Sequence, residues 1–186
     1  MSRVAFQQTP LEGLVVVKRM PTTDERGFLE RLFCAREFAS QGIQLPVLQA
    51  SRTATIRKGA VRGMHFQYPP HTEVKLVSCL GGRVFDVAVD LRRGSPTFLH
   101  WHAEELSSKN CKSLLIPAGF AHGLQTLEDG CELLYFHSAA YAADAEGGIH
   151  PSDPKVGIMW PLPISEMSER DRGHPALTDD FRGLTL

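Results

Sequence analysis

The sequence has no surplus of charge, no long apolar run and no paired cysteines. Twenty Lys and Arg against 21 Asp and Glu leave a formal net charge of −1. Neither a nucleic-acid footprint nor a membrane-seeking basic face is therefore expected, and an anionic ligand must be held by a local cluster of Arg and Lys. The N-terminal apolar run "LVVV" (14–17) follows no basic n-region and is too short for a signal-peptide core or a membrane span, so a cytoplasmic chain is expected. Cys34, Cys79, Cys111 and Cys131 lie far apart without a CxxC pair. That spacing argues against a disulfide framework and a zinc knuckle, and free thiols are expected. Repeats, low-complexity tracts and Gly/Ser linkers are also missing, so residues 1–186 are expected to form one domain, long enough to bury a sizeable core.

Helical signal is scarce as well. "CAREFASQG" (34–42) has room for two turns, "SSKN" (107–110) for one, and a short helix is expected near 164–172. Short β-rich runs are plentiful: "GLVVVKRM" (13–20), "KLVSCLGGRVFDVAVDLR" (75–92), "TFLHWHAEEL" (97–106), "SLLIPAGF" (113–120) and "CELLYFHSAAY" (131–141). Within them, Val84, Asp86, Ala88 and Asp90 alternate with Phe85, Val87, Val89 and Leu91, the period of a strand with one core-facing side. The aspartate face is expected to be solvated. "LGGR" (80–83) reads as a tight hairpin turn, with further turns at "RRGSPT" (92–97) and "LEDG" (127–130). Many short strands with frequent turns predict an all-β antiparallel sandwich or barrel. The proline-rich C-terminal third, with "HPSDP", "WPLPI" and "SERDRGHP", is expected to wrap it.

Chemistry gathers in "VRGMHFQYPPHTEVK" (61–75). Arg62 precedes His65 in what reads as an Arg-Gly turn, and a fold-back over "YPPH" brings Lys75 to the same cavity. A neutral imidazole is a base near neutral pH, an ammonium stabilises an enolate oxygen, and a guanidinium grips phosphate. Together they suit proton abstraction alpha to a carbonyl on a phosphorylated substrate. A metal reading competes. "PAGFAH" (117–122) matches the second half of the cupin signature, whose histidine (here His122) often ligates Fe, Mn or Zn. The first half needs an H-x-H, yet Gln67 stands where the second histidine belongs, and the H-x-H of "HWHAE" (100–104) lies too close to the second motif. Taken singly, Tyr135 passes for a barrel residue with a bonded hydroxyl. Asp171, between Arg170 and Arg172, passes for a surface ion pair.

Several stretches, in order and at matching separations, resemble the dTDP-4-dehydrorhamnose 3,5-epimerase family over residues 10–176. They are "DERGFLERLF" (24–33), "AVRGMHFQ" (60–67), residues 75–98, "LLIPAGFAHGLQTL" (114–127), "CELLY" (131–135) and "EGGIHPSDPKVGIMWP" (146–161). The resemblance implies a cupin-type antiparallel jelly-roll barrel with a few short helices and an irregular C-terminal tail. It further implies a homodimer that needs neither metal nor cofactor. Its substrate would be a nucleoside diphosphate 4-keto-6-deoxy sugar, inverted at carbon 3, carbon 5 or both for deoxysugar or surface-polysaccharide synthesis. "GLVVVKRM" offers an edge strand for exchange in such a dimer. By the same resemblance His65 is the general base, Asp171 the acid that orients and charges it, Tyr135 the proton donor on the other face of the ring, and Lys75 and His122 line the sugar site. Arg62 and Arg26 contact the diphosphate, with Glu30, Gln49 and Glu146 as further ligand contacts. The chain departs from the family pattern at Ser51, Phe136 and Arg170, around the nucleotide and sugar pockets. Two other readings are a non-catalytic sugar-nucleotide-binding cupin and a metal-dependent cupin enzyme.

Overall fold

In the computed structural model, which describes residues 3–186, the β-rich runs become thirteen strands accompanied by two short α-helices and a 3-10 turn at Ala143–Ala145. The strands are β1 (Val4–Gln8), β2 (Val15–Arg19), β3 (Thr22–Asp24), β4 (Gly27–Leu29), β5 (Gln49–Thr55), β6 (Val61–Gln67), β7 (Lys75–Gly81), β8 (Arg83–Asp90), β9 (Trp101–Ser107), β10 (Lys112–Ile116), β11 (Phe120–Thr126), β12 (Cys131–His137) and β13 (Glu146–Gly148). Helix α1 spans Ala35–Ala39 and α2 spans Glu169–Arg172. One sheet runs β1-β2-β10-β7-β12-β5, a second β13-β6-β11-β8-β9, and β3 pairs with β4 alone. Every strand pair is antiparallel.

The two large sheets pack face to face as a jelly roll, as their shared core shows. Val16, Val77, Leu114 and Leu133 from one sheet meet Val84, Ala88, Leu106 and Leu124 from the other. Each Val or Leu side chain so removed from water contributes about 1.5–3 kcal/mol. Both outer faces are covered too. Phe38 of α1 and Leu45 lie over the six-stranded sheet, while Ile149, Val156, Trp160 and Phe181 of the C-terminal segment lie over Val87, Val89 and Leu91. The tail wraps the barrel as expected, held by bridges from Ala60 to Glu166 and from Arg92 to Leu184.

This double cover corrects the expectation for β8. Its alternation is as predicted, but the aspartate face is the inner one, and Asp86 and Asp90 are fully buried. Asp90 accepts hydrogen bonds from Arg92, Ser95 and Thr97, whereas Asp86 is engaged through Oδ1 alone, by His122, and its buried Oδ2 has no partner among the described residues. A second correction concerns "LGGR". β7 and β8 belong to different sheets, so this corner at Gly82 (φ +72°) carries the chain across the barrel and forms no hairpin. The same holds for the Tyr-Pro-Pro turn between β6 and β7. Strand β2 of "GLVVVKRM" lies between β1 and β10 of its own chain, so the free edges of that sheet are β1 and β5. All four cysteines are free thiols. Among the described residues no helix is long and apolar enough to cross a membrane.

Candidate active site

Strand β6 carries the first half of the site through an irregularity in its pairing. Arg62 and His65 are an odd number of positions apart, so plain alternation would send them to opposite faces. Pairing with β11 instead sets His122 against His65 and Leu124 against Arg62, with one extra β6 residue between the two pairs. That bulge returns both side chains to the inner face. Glycines make room for it: Gly63 has φ +126°, and a Cβ there would lie 2.5 Å from the Gly123 Cα. The Arg-Gly pair expected as a turn is thus mid-strand. His122 lies on an interior strand.

Asp171 arrives from the far end of the chain. The Val61 N–H donates to the Glu166 carbonyl and ties the tail to β6, while Ser168 caps α2 by accepting from the Asp171 N–H. Asp171 does pair with its neighbour Arg170, whose Nε lies 3.4 Å from Oδ1, but at 2% exposure the carboxylate is buried and not at the surface. Its Oδ1 lies 2.8 Å from His65 Nε2, and its Oδ2 accepts from the Gly63 N–H at 3.1 Å. Burial alone would raise this carboxyl, but the hydrogen bonds from His65 and Gly63 outweigh it and hold it well below the usual carboxylate range. With Asp171 ionised, Nε2 of His65 carries the proton and donates, which leaves the lone pair on Nδ1. Arg170 closes the same corner, with Nη1 donating to Glu146 at 2.9 Å and Nη2 lying 3.1 Å from His65 Nε2.

The second half stands on the opposing sheet. Along β12, Tyr135 is registered with Val77 and Ser51, and His137 with Lys75 and Gln49. Burial raises the Tyr135 hydroxyl far above its ordinary value, and the nearby Asp86 charge raises it further, so the phenol stays protonated. His122 packs edge-on against Tyr135, and its Nε2 is 2.9 Å from Asp86 Oδ1. Lys75 Nζ lies 3.2 Å from Glu73 Oε1.

Between the sheets a cavity of about 230 Å³ is lined by Arg62, His65 and His122 on one wall and by Gln49, Lys75 and Tyr135 on the other, together with Glu146. A second of about 440 Å³ adjoins it and shares Arg62, His65 and Arg170. Asp171 backs His65 from this second side. Arg26 and Glu30 are not brought in within one chain. Arg26 sits in the exposed β3–β4 hairpin paired with Asp24, and Glu30 pairs with the buried Arg19 at 2.9 Å. Sequence reasoning missed Glu73, His137 and Tyr141 and gave Arg170 no role beyond a departure near the pockets; all four are on the cavity wall. For Glu73 and His137 a signal existed: each is two residues from an expected site residue on an alternating strand or its approach. The set able to hold a metal ion among the described residues is His65, Asp171 and His174, with ligand atoms within 4.8 Å. The cupin-signature histidine His122 is not part of it.

A sequence profile of the dTDP-4-dehydrorhamnose 3,5-epimerase family matches residues 8–179. A dTDP-4-dehydrorhamnose 3,5-epimerase of Streptomyces griseus is 40% identical over 177 residues, covering 94% of this chain and 88% of the relative. The crystal structure of a Legionella pneumophila dTDP-6-deoxy-D-glucose-3,5-epimerase, in complex with dTDP-4-keto-L-rhamnose, superposes with a TM-score of 0.91 at 34% identity and covers 98% of both chains. A 3'-monoepimerase from Streptomyces bikiniensis, bound to dTDP-quinovose, has a TM-score of 0.86 at 31% identity, covering 91% of this chain and 86% of its own.

Proposed function

Because the chain belongs to the dTDP-4-dehydrorhamnose 3,5-epimerase family, we propose that it inverts carbon 3, carbon 5 or both of a nucleoside diphosphate 4-keto-6-deoxy sugar in deoxysugar biosynthesis. The enzyme is an isomerase. The 4-keto group acidifies the hydrogens on carbons 3 and 5, so the protein has only to move protons and hold charge. His65, oriented and charge-compensated by Asp171, removes one proton through Nδ1. The ammonium of Lys75 stabilises the enolate oxygen that results. Tyr135 then delivers a proton from the other side of the ring, and the centre is inverted. One observation carries this reading: His65 with its buried carboxylate stands on one sheet and the protonated Tyr135 on the other, across a single cavity.

Arg62 is assigned to the diphosphate, and His122, Gln49 and Glu146 to the sugar and nucleotide. The adjoining cavity gives a ligand longer than a sugar room to extend past Arg62 and Arg170. Arg26 and Glu30 are assigned to the nucleotide in a homodimer, where they would reach the partner's cavity. Exposed Phe28 and Leu29 on the same hairpin and the open edge of β5 support that assembly. We further read residues 1–186 as one cytoplasmic domain that works without a metal or cofactor. The test is incubation in D2O with dTDP-, CDP- and GDP-linked 4-keto-6-deoxy sugars, followed by NMR. Deuterium should enter carbon 3, carbon 5 or both of at least one sugar, and His65→Ala should abolish that exchange. No exchange into any of them would sink the assignment.

A further inference from the structure

Two half-buried ionisable groups of the cavity have no part in this chemistry. Glu73 precedes β7, and its carboxylate is fully engaged: Oε1 lies 3.2 Å from Lys75 Nζ and Oε2 lies 2.7 Å from His137 Nδ1. The three side chains are only 11–15% exposed. Burial would raise the Glu73 carboxyl, yet the hydrogen bond from His137 and the charge of Lys75 keep it lowered and ionised. The arrangement follows from register. His137 is the β7 partner of Lys75 and stands two residues beyond Tyr135, so all three share one wall. His137 lies flat against the Tyr135 ring, with centroids 5.9 Å apart and planes 16° from parallel, whereas His122 meets that ring edge-on.

This stack matters for the second half of an inversion. When Tyr135 gives up its proton, the O–H bond breaks, a C–H bond forms on the ring carbon, and the electron pair stays on a phenolate oxygen. Burial and the Asp86 charge both oppose that phenolate. On the opposite wall, Asp171 compensates the imidazolium formed at His65. Around Tyr135 the Thr53 hydroxyl and the Arg62 charge favour the anion, but less than burial and Asp86 oppose it. We propose that Glu73 holds His137 as an imidazolium against the face of Tyr135, and that this positive charge stabilises the phenolate until water returns its proton. His137 and Glu73 are positioning residues, acting through Tyr135. The inference rests on the reading of Tyr135 as the proton donor. The other ionisable groups on the cavity wall are Arg62, His65, His122, Tyr141, Glu146 and Arg170. None of these is paired with Glu73 in the structure.

Two unit charges about 6 Å apart in a partly buried site change the stability of the anion by about tenfold to a hundredfold. The experiment uses the full chain carrying His137→Gln or Glu73→Gln, in D2O with a 4-keto-6-deoxy sugar nucleotide the wild-type protein accepts. Deuterium exchange reports the base step, and inverted product reports the donor step. Both variants should lose about tenfold to a hundredfold in kcat for inversion, with KM changed by less than about threefold and exchange retained. His137→Lys, which keeps a cation beside Glu73, should retain more of the inversion rate than His137→Gln. Inversion at the wild-type rate, exchange and inversion falling together, or equal losses in His137→Lys and His137→Gln would each overturn the inference. A wild-type protein that exchanges no deuterium with any substrate refutes the assignment of the whole site instead.

Discussion

Replacing Asp171 by asparagine keeps the shape of the side chain and removes its charge. The carboxylate now accepts from His65 Nε2 at 2.8 Å, from the Gly63 N–H at 3.1 Å and, at longer range, from Arg170 Nε at 3.4 Å. An asparagine has one acceptor oxygen. If that oxygen keeps the Gly63 N–H, the amide NH2 faces His65 and donates to Nε2, which forces the ring proton onto Nδ1 and removes the lone pair that acts as base. If the oxygen turns to His65, the Gly63 N–H at the bulge is left unpaired. In either case the imidazolium formed during turnover loses its counter-charge. Deuterium exchange into substrate should fall by about 10²–10⁴-fold, the usual share of a positioned general base, and stability near neutral pH should fall by about 1–3 kcal/mol. The sign of the pH dependence is fixed as well. Asp171 is held below its unfolded value of about 3.9, so its contribution is complete above that pH and is lost as pH falls through the lower folded value. Urea titrations of the two proteins should therefore differ most at neutral pH and converge below about pH 4. An exchange rate within about threefold of wild type would rule out this role for Asp171.

Other consequences follow from the same geometry. Asp90, whose burial penalty is outweighed by hydrogen bonds from Arg92, Ser95 and Thr97, sits at about 2. Asp90→Asn should thus cost about 2 kcal/mol at neutral pH, and urea melts should show the gap closing between about pH 4 and 2. A gap unchanged with pH would count against the cluster. Burial pushes the Cys79 thiol up to about 12, so mass spectrometry after alkylation of native protein should find label on half-buried Cys34 and Cys111 before buried Cys79 and Cys131. Equal labelling of all four would contradict it. Gly63→Ala would set a Cβ 2.8 Å from the His122 carbonyl oxygen at a positive φ. We expect a loss of about 2–4 kcal/mol in thermal or urea unfolding, with exchange activity lost as the bulge shifts His65.

Much of the barrel is legible in the sequence because strand alternation survives tertiary packing. Phe85, Val87, Val89 and Leu91 alternate in "RVFDVAVDL" and do share a face. What alternation cannot say is which face looks inward. A strand covered on both sides can carry its polar row inside when its carboxylates find partners, as Asp90 does through both oxygens and Asp86 through one. Turn chemistry is similarly local. "LGGR" looks the same whether Gly82 closes a hairpin or takes the chain to the facing sheet, because the destination depends on strands far away in sequence. His65 and Lys75 stand out by type and spacing. Their partners Asp171 and Tyr135 do not, since Asp171 is brought to β6 by a tail of irregular structure, and only the family resemblance singled them out. The bulge that puts Arg62 beside His65 rests on two glycines of facing strands, a pairing invisible along one strand. Glu73 and His137 do not stand out in the sequence, because a strand-end carboxylate and a lone histidine look like solvent-facing side chains until register sets His137 beside Lys75 and Tyr135.

The account depends most on a base on one sheet and an acid on the other acting in sequence. Tyr135→Phe in D2O tests this directly, with deuterium at carbons 3 and 5 and the configuration of each followed in one NMR time course. The account predicts continued exchange by His65 with retained configuration, while inverted product falls by about 10²–10⁴-fold. Inverted product at the wild-type rate would contradict it.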